Sequence, residues 1–598
     1  MERLHHNGVL VPPRYEGMGL TIKARDREVK LTPEQEEMAM AWAKKVGTPY
    51  VEDPVFAVNF HKDFSVKLGI EVEHGDVDFS EVLRVVEKER AYKAGLTREE
   101  RKSQAAERKA KREANKERYG YAWVDGVKME VGNYTVEPSS IFMGRGSHPM
   151  RGNWKEGSRK EDVELNLSPD APRPPGSWKE IVWEPDRMWI ARWRDKLSDK
   201  TKYVWLSDSS LLKQRKDIEK FEKAKELSQS LERIQRHIRE NLDADDLRRR
   251  KIATVCYLID RLKFRVGDEK DEDEADTVGA STLRSKHIHF NGDGTVTFDF
   301  LGKDSVRHVI RTDLPKQVIK NLKEFSANAS LSLFDGVNSK RVSDFLDEVK
   351  TGLSAKVFRT YYTSEAVETK LKGTPVDQHD ADYVKKHAAV MANLEAARVC
   401  NHKRTIPKTW ESSLAKKKER LKALKVRARE NLEKLNLRAE EREQKYKERL
   451  SKQQKKLREE KGKLKEYQRR LADMQEQGRA VKGLERRVSS KRKAIARIEQ
   501  RIRDMKAKQR GQMKKNKERL KNREQRDKAA IEKLKLQIEA QQETKDYNLG
   551  TSLKSYIDPR IYYEWGRRVD YDWKKYYTKT LQKKFSWVEL DLDDKQMK

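Results

Sequence analysis

The feature that most constrains the fold is the stretch 407–545, which has very few aromatic or proline residues and consists mainly of Lys, Arg, Glu and Leu. Four of its leucines recur every seven residues, namely Leu450, Leu457, Leu464 and Leu471. This spacing predicts a coiled coil. The Gly-containing segment 478–483 can reverse the chain, which predicts two antiparallel arms of about 60 residues, each about 90 Å long. An unbroken helix that dimerises is the alternative. The hairpin is favoured because the flanking segments then reconverge, as the chemistry inferred below requires.

The rest of the chain divides into three regions by composition and pattern. Residues 1–210 have a mixed pattern broken by Gly and Pro turns and are predicted to form one or two α+β lobes. Residues 211–406 have strong helical periodicity and predict a mostly helical second lobe. Aromatic residues return in 546–598, which predicts a small domain packed on the second lobe. The fold class expected is therefore a multidomain α+β protein with a long coiled-coil linker.

Local patterns in the first region predict both strands and a surface helix. The runs VFAVNF (55–60) and YVWLSD (203–208) are interpreted as short strands. Residues 97–118 predict a charged helix with few apolar positions, which belongs on the surface. Its Lys and Arg residues either face a polyanion or are simply solvated.

The second region contains a helix that is expected to be buried and a β-hairpin. In KIATVCYLIDRLKFRVG (251–267), apolar residues at 252, 255, 256, 259 and 262 lie on one helical face. The run HIHFNGDGTVTFDFLGKD predicts two strands joined by a turn at 291–294, whose glycines supply the positive φ that a hairpin needs. The hairpin is expected to end at Lys303.

The charge of the chain indicates its class of partner. Lys and Arg together outnumber Asp and Glu by 133 to 99, which gives a formal net charge of +34. A field of this sign and size favours a polyanion, and nucleic acid is the leading candidate. Charge-rich helices that are only solvated are the alternative.

The sequence has no motif for a nucleotide or a metal ion. It contains no G-x-x-x-x-G-K-[ST] segment, and the Gly-rich loop 144–152 has no Lys followed by Ser or Thr. No His and Cys cluster has zinc spacing, and the acidic run 268–276 lacks the spaced ligands and central Gly of a calcium loop. We therefore expect no cofactor, neither ATP nor a metal ion.

The expected location is intracellular. No apolar run approaches the roughly 18 residues that span a bilayer. The start, MERLHHNGVLVPP, lacks the charged-then-apolar order of a signal peptide. Cys256 and Cys400 lie far apart in apolar stretches, which predicts buried, reduced thiols.

Six short blocks follow one another along the chain: RLKFRVGDEK (261–270), DTVGASTLR (276–284), FDFLGKDSVR (298–307), AKVFRTYYTS (355–364), VCNHKRTIPKTW (399–410) and SYIDPR (555–560). In sequence and order they closely resemble the eukaryotic-type DNA topoisomerase I family (type IB). The resemblance extends upstream through HNGVLVPPRYEGMG (6–19) and FMGRGSHPMRG (142–152), so it covers nearly the whole chain except the coiled region. It implies a DNA clamp in which residues 1–210 form the upper lobe.

The resemblance implies five catalytic residues, Arg265, Lys303, Arg359, His402 and Tyr556. In the family a tyrosine attacks a phosphodiester and stays on the 3′ phosphate until the strand is rejoined, without ATP or metal. A phenol with a pKa of about 10 is a poor nucleophile, so cations must stabilise the anionic phosphate. The two arginines would clamp non-bridging oxygens, and the histidine would add a donor. The lysine would protonate the departing 5′ hydroxyl as general acid.

The resemblance also implies a set of contacts with double-stranded DNA, made by Arg145, Lys202, Tyr203, Lys270, Thr277, Asp304 and Lys356. Most such contacts touch phosphates, so we expect weak sequence specificity and strong salt dependence. The implied state is a monomer clamped around chromosomal DNA, in a nucleoid or a nucleus. The basic hairpin would slow rotation of the free DNA end by electrostatic drag, or act only as a spacer that delivers the tyrosine.

Two features depart from the family pattern. Ser555 precedes the tyrosine where the family usually has Asn, which puts the family's inhibitor pocket in doubt. The long basic leader of nuclear members is absent, and the coiled hairpin is longer than usual. Both features are compatible with an archaeal or otherwise divergent member.

Two rival interpretations remain. Tyrosine recombinases use a similar residue set, but they usually carry H-x-x-R, whereas this chain has Lys356-x-x-Arg359, and Tyr556 lies far beyond His402. An architectural coiled-coil protein that binds DNA would need no catalytic tyrosine, so it predicts that Tyr556→Phe leaves function intact.

Overall fold

The computed structural model describes residues 1–267, 278–302, 306–327 and 332–589. The chain divides into two compact units. The first comprises Met1–His379, Ala392–Arg404 and Tyr547–Lys598, and the second comprises Asp380–Met391 and Thr405–Asp546.

The first unit opens with an α+β region of many short elements. Its strands are β1 (Leu4–His6), β2 (Thr21–Ala24), β3 (Arg27–Lys30), β4 (Val77–Asp78), β5 (Tyr121–Val124), β6 (Val127–Glu130), β7 (Ser140–Ile141), β8 (Trp154–Lys155), β9 (Val163–Asn166), β10 (Glu180–Val182), β11 (Trp189–Arg194) and β12 (Thr201–Trp205). Its helices are α1 (Pro33–Ala43), α2 (Pro54–Leu68), α3 (Ser80–Gly95) and α4 (Arg98–Tyr119).

This region has two separate hydrophobic cores. The helices α1, α2 and α3 pack with strand β2 around Phe56, Phe60 and Phe64. The second core includes Leu165 and Ile190 from a four-stranded sheet of order β10-β9-β11-β12. The first part of the chain therefore buries its apolar residues in two places.

The predicted strand at 55–60 is wrong, because these residues lie in α2. The carboxylate of Asp53 caps this helix by accepting two backbone N–H groups at 3.0 and 3.2 Å. Phe56, Phe60 and Phe64 are all fully buried, and their spacing of four places them on one helical face. The run VFAVNF contains only two of these three residues, too few to distinguish a helical period from a strand period.

Of the other two local predictions for this region, the strand predicted at 203–208 is confirmed over 203–205 only, and the charged helix is confirmed. Residues 201–205 form β12, which pairs antiparallel with β11. The charged helix is α4, which begins with a capping box between Thr97 and Glu100 and has no buried residue.

A mostly helical region with one sheet follows. Its helices are α5 (Leu211–Glu240), α6 (Leu247–Leu262), α7 (Lys316–Ala327), α8 (Ser339–Asp347), α9 (Ala355–Gly373) and α10 (Asp382–Val399). Its strands are β13 (Ile288–Phe290), β14 (Val296–Gly302) and β15 (Val306–Thr312). The core includes Val255 and Ile259 from α6, as the apolar periodicity predicts, together with Phe298 and Phe358.

The predicted turn at 291–294 is confirmed, since β13 and β14 pair antiparallel across it. The sheet also has a third strand, which was not predicted. This strand is β15, and it pairs with β14 along its whole length. The side chains of β15 alternate only between half-buried and exposed, so the sequence has no clear apolar face there. Lys303 follows β14 in the sequence and lies outside the described residues.

The second unit contains two long helices, α11 (Trp410–Glu476) and α12 (Lys482–Glu543). They are antiparallel, as the predicted reversal at 478–483 requires. Ion pairs join them, at 2.6 Å between Lys491 and Glu460 and at 2.7 Å between Lys461 and Glu499. At the open end, the Trp410 indole donates to the carbonyl of Gln541 at 3.3 Å.

The C-terminal part of the first unit contains α13 (Leu549–Ser555), α14 (Pro559–Val569) and α15 (Lys579–Lys584). It packs on α5, as predicted: Trp587 lies 6.3 Å from Phe221 between ring centroids, and buried Arg560 is ion-paired with Glu222. Within the described ranges, no helix is both long and apolar enough to cross a lipid bilayer.

Candidate active site

Tyr556 lies directly after α13 and is only 5% exposed. Its backbone N–H donates to the carbonyl of Ser552 at 2.9 Å. Its own carbonyl accepts from the hydroxyl of Ser364 on α9 at 3.2 Å, and the same hydroxyl accepts from the N–H of Asp558 at 3.0 Å. Helix α9 therefore fixes the backbone at the tyrosine and directly after it.

Arg359 is also on α9 and is 4% exposed. Its Nη1 donates to the carbonyl of Lys263 at 2.5 Å, and its Nη2 donates to the carbonyl of Cys400 at 3.1 Å. The guanidinium carbon lies 5.2 Å from the centroid of the Tyr556 ring. Two backbone carbonyls from distant parts of the sequence thus hold a buried guanidinium against the phenol.

His402 reaches the same place from the end of α10. It follows Asn401, whose φ of +48° turns the chain sharply after the helix. The ring nitrogen Nε2 lies 3.3 Å from Nη2 of Arg359, and Nδ1 lies 2.7 Å from the hydroxyl of Ser552. The rings of His402 and Tyr556 are 5.3 Å apart between centroids. Arginine, histidine and tyrosine therefore form one packed cluster.

The protonation state of His402 follows from its surroundings. Burial, followed by the positive charges of Arg359 and Arg265, lowers the pKa of His402 to about 3. The imidazole is therefore neutral at physiological pH. Because an arginine can only donate, Nε2 is the acceptor in this arrangement, and Nδ1–H donates to Ser552.

Arg265 and a second histidine border this cluster. Burial and then the charges of Arg359 and Arg265 lower the pKa of His308 on β15 to about 4. Its Nδ1 lies 2.8 Å from the amide nitrogen of Asn401, and its ring stacks on Phe300 at 5.1 Å. A Cβ atom added to Gly302 would lie 2.6 Å from the Nε2 of this ring, so the end of β14 packs on it.

Comparison with known proteins finds related sequences along most of the chain. Sequence models described as "Eukaryotic DNA topoisomerase I, DNA binding fragment", "Eukaryotic DNA topoisomerase I, catalytic core" and "C-terminal topoisomerase domain" match residues 1–206, 209–435 and 528–595. DNA topoisomerase 1 of Candida albicans is 32% identical over 99% of the chain and 79% of its own length. The chain belongs to the eukaryotic DNA topoisomerase I family.

Other topoisomerase relatives are similar over the same span. Human DNA topoisomerase 1 is 30% identical over 99% of the chain and 71% of its own length. DNA topoisomerase 1 beta of Arabidopsis thaliana is 33% identical over 99% of the chain, which spans 58% of that relative. Both topoisomerase 1 relatives from Arabidopsis are thus covered over less than two thirds of their length.

Of the five catalytic residues that the topoisomerase resemblance implies, the structure packs three into one cluster, namely Arg359, His402 and Tyr556. The charge of a fourth, Arg265, acts on His402 and His308. The fifth, Lys303, lies outside the described residues, although its sequence neighbour Gly302 packs on His308 beside the cluster. Three of the implied DNA contacts also lie outside the described residues, namely Lys270, Thr277 and Asp304.

The remaining implied DNA contacts lie on separate elements. Arg145 is exposed between two glycines whose φ values are +57° and +58°. Lys202 and Tyr203 are on β12, where Tyr203 is 40% exposed. Lys356 is exposed in the first turn of α9, three residues before Arg359.

Four residues that contact the topoisomerase cluster were not predicted. They are Ser552, Ser364, His308 and Lys263. Lys263 and Ser364 lie within blocks that carried the resemblance, His308 directly follows one, and Ser552 lies three residues before another. Their roles depend on contacts between distant segments, which no local pattern signals. In the part of the chain that is described, no group of three or more His, Cys, Asp or Glu residues could hold a metal ion.

Proposed function

We propose that this chain is a type IB DNA topoisomerase, which nicks and reseals one strand of duplex DNA and so relaxes positive and negative supercoils without ATP or metal. The observation that carries the proposal is the packing of Arg359 and His402 on the Tyr556 ring. A buried phenol with two phosphate-binding side chains beside it is suited to attack a phosphodiester.

In the proposed step, the phenolic oxygen of Tyr556 bonds to phosphorus and releases its proton to water. The bond from phosphorus to the 5′ oxygen breaks, and Lys303 gives that oxygen a proton. The product is a 3′ phosphotyrosine and a free 5′ hydroxyl. Because one phosphodiester is exchanged for another, the reverse reaction reseals the strand without added energy.

Arg265 and Arg359 would stabilise the additional negative charge that develops on the non-bridging oxygens in the transition state. Arg359 is well placed for this role because two backbone carbonyls already fix its guanidinium plane. The Nε of Arg359 is buried without a hydrogen-bond partner among the described residues. This arginine therefore retains a donor that the protein does not satisfy.

His402 would donate Nε2–H to the same oxygens, which requires the tautomer opposite to the one that faces Arg359 in the free protein. The hydroxyl of Ser552 permits this change, because a serine can accept from Nδ1–H or donate to Nδ1. The lowered pKa of His402 keeps the ring neutral, so it acts as a hydrogen-bond donor rather than as a charge.

For Lys303 as general acid, the support is the position of Gly302. This glycine is the last described residue before Lys303, and it packs on His308. His308 in turn contacts Asn401, the neighbour of His402. Lys303 follows Gly302 directly in the sequence, and the general acid is assigned to it on that ground.

The proposed architecture is a monomeric clamp around double-stranded DNA. Its parts are an upper lobe (1–210), a catalytic lobe (211–406), a coiled-coil linker (407–545) and a C-terminal domain with the nucleophile (546–598). The proposed DNA contacts are Arg145, Lys202, Tyr203, Lys270, Thr277, Asp304 and Lys356. Phosphate contacts of this kind make binding depend steeply on salt and only weakly on sequence. The expected location is on the chromosome.

The test is relaxation of a supercoiled plasmid in EDTA and without ATP. The wild type is expected to relax the plasmid, and Tyr556→Phe is expected to lose roughly 10⁴-fold or more, as enzymes do when the nucleophile is removed. Tyr563→Phe, which changes a partly buried tyrosine on α14, is the matched control and should retain full activity.

The plasmid in this assay carries no recombination site, so a tyrosine recombinase would leave it supercoiled. Retained activity in Tyr556→Phe would exclude the mechanism. Loss of wild-type activity in EDTA would exclude the metal-free scheme.

A further inference from the structure

Lys263 provides the acceptor that holds the proposed catalytic arginine. It caps the C-terminal end of α6 with a φ of +58°, a left-handed conformation that non-glycine residues rarely adopt. The carbonyl of this residue accepts from Nη1 of Arg359 at 2.5 Å. The position of Arg359 therefore depends on a left-handed turn, and lysine does not favour that conformation.

The side chain of Lys263 returns toward the helix that it caps. Its Nζ donates to the carbonyl of Asp260 in the last turn of α6, where the helix dipole favours a cation. The same Nζ lies 3.3 Å from the centroid of the Tyr362 ring, which places a cation on an aromatic face. The ammonium thus fastens the turn to two neighbours.

Tyr362 is itself held in place. Its hydroxyl donates to Oδ1 of Asp260 at 2.5 Å, and the amide of Gln235 on α5 donates to Oδ2 of the same carboxylate at 3.1 Å. Tyr362 follows Arg359 by three residues on α9, so both side chains are on the same side of that helix. The contacts form a closed loop: α9 presents the arginine and the tyrosine, and Lys263 contacts both.

The stability of the folded protein does not by itself explain a positive charge at this position. Lys263 lines a cavity of about 480 Å³ that is bordered by several other charged or aromatic side chains, among them Arg239, Arg261, Tyr257 and Asp313. Burial is the largest influence on Lys263 and lowers its pKa to about 8. Burial penalises the charged form, and this cost offsets the stabilisation that the contacts of the ammonium supply.

We propose, on the basis of the function proposed above, that Lys263 is a positioning residue whose ammonium group holds Arg359 in place for the scissile phosphate. The ammonium stabilises the left-handed turn by contacting Asp260 and Tyr362, and the carbonyl of that turn orients the guanidinium. Lys263 has no proposed contact with the reacting atoms and acts only through Arg359.

The proposal makes strand cleavage depend on pH in the alkaline range. The ionisable groups that face the Lys263 amine come from α5, α6, α9, the end of α10 and the segment after β15: Arg239, Asp260, Arg261, Tyr362, Glu365, Cys400 and Asp313. Burial and then the contact with Asp260 raise the pKa of Tyr362, so this tyrosine stays protonated while the lysine titrates. The amine is charged below about pH 8 and neutral above it, so cleavage should slow as pH rises through about 8.

The experiment is single-turnover cleavage of a duplex oligonucleotide from pH 6.5 to 9.5, together with DNA affinity and Tm. Lys263→Met keeps the length of the side chain and removes its charge. We expect cleavage at pH 7 to fall about 5- to 30-fold, as loss of a cation–π contact and a hydrogen bond implies. DNA affinity should change by less than about twofold, since phosphate contacts dominate affinity. The Tm should stay equal or rise, and the alkaline decline should disappear.

Lys263→Arg should retain most of the rate and keep it above pH 8, because the guanidinium stays charged. Lys370→Met removes a charge from the exposed end of α9 and is the matched control, expected to match the wild type. If Lys263→Met does not fold, Lys263→Gly is the second variant, since glycine accepts the positive φ without strain. A wild-type rate and pH profile in the Met or Gly variant would overturn the proposal.

The Tyr556→Phe variant separates this proposal from the proposed function. If wild type cleaves and Tyr556→Phe does not, the function stands, and the Lys263 variants test positioning alone. If wild type does not cleave at all, both the function and the role of Lys263 fail. A drop in Tm that accounts for the lost rate of Lys263→Met would indicate a structural role and contradict the proposal.

Discussion

The proposed catalytic cluster and the coiled-coil hairpin are held together in opposite ways. In the cluster, side chains that are distant in sequence bond directly: His402 reaches Ser552 across 150 residues, and Arg359 reaches the carbonyl of Lys263 across 96. In the hairpin, the heptad leucines of α11 are only half-buried, and Leu414 is the one buried residue of that helix. The opposite helix α12 buries six apolar residues along this narrow seam: Val488, Ile495, Ile498, Ile502, Leu534 and Ile538. Local helix propensity and neighbouring ion pairs add to this seam.

This difference matches two different functional requirements. The cluster has to keep a few atoms within fractions of an ångström, which requires contacts from several directions. The hairpin presents a long basic surface, which requires charge rather than exact placement. Changes in the cluster should therefore alter the chemical step, and changes in the hairpin should alter DNA affinity and rotation.

The largest effect is expected from Arg359→Lys. A lysine cannot donate to both backbone carbonyls and still present two donors to a phosphate, so the rate of cleavage should fall by roughly 10²- to 10³-fold. The measurement is single-turnover cleavage of an oligonucleotide duplex. Arg249→Lys changes an arginine that is ion-paired with Glu348 and serves as the control. A loss below about threefold in Arg359→Lys would mean that the buried guanidinium is not part of the chemistry.

A moderate effect of acid on stability is expected around the cluster and not in the hairpin. The folded pKa values of His402 and His308 are about 3 and about 4, below the ordinary value of 6.5. Between pH 6.5 and about 4 the unfolded chain binds protons that the folded chain does not, so stability falls as pH falls through this window. At pH 5 the loss for His308 should be at most about 2 kcal/mol.

Calorimetry from pH 7 to 5 tests this expectation. His308→Gln should flatten the decline in Tm, whereas exposed His289→Gln should not. The segment 405–546 contains no histidine, so the melting of the hairpin should change little over the same window. An equal acid response of the cluster and the hairpin would remove the contrast between them.

The smallest effect on chemistry is expected from shortening the hairpin. Deleting residues 458–471 and 484–497 removes two heptads from each arm on either side of the turn and keeps the seam in register. Cleavage should change by less than about twofold, whereas the dependence of DNA binding on salt should become less steep because Lys and Arg residues are lost. Plasmid relaxation at low salt should become faster if the arms slow rotation. If the salt dependence of DNA binding and the rate of DNA rotation do not change, the hairpin acts only as a spacer.

The sequence predicted the elements whose signal is local. The helix α4, the buried face of α6 and the reversal between α11 and α12 all follow from periodicity, charge or glycine placement. The helix α2 was missed because the window VFAVNF is shorter than two helical turns. The strand β15 was missed because its side chains show no apolar alternation.

The proposed catalytic residues could be named from the sequence only through the family resemblance. No periodicity indicates that Arg359, His402 and Tyr556 meet, since they lie on three segments far apart in the chain. The partners Ser552 and Lys263 could not be predicted, because one acts through a hydroxyl and the other through a backbone carbonyl. Such contacts arise only when the segments have packed.

The central claim is that the phenolic oxygen of Tyr556 becomes bonded to DNA. The most direct measurement is to trap the adduct on a duplex whose cleaved end dissociates, digest the protein and identify the modified peptide by mass spectrometry. The account predicts a single adduct in the segment that contains SYIDPR, with the 3′ phosphate of the cleaved strand on Tyr556. An adduct on another residue, a 5′ phosphate linkage, or cleavage without any adduct would contradict it.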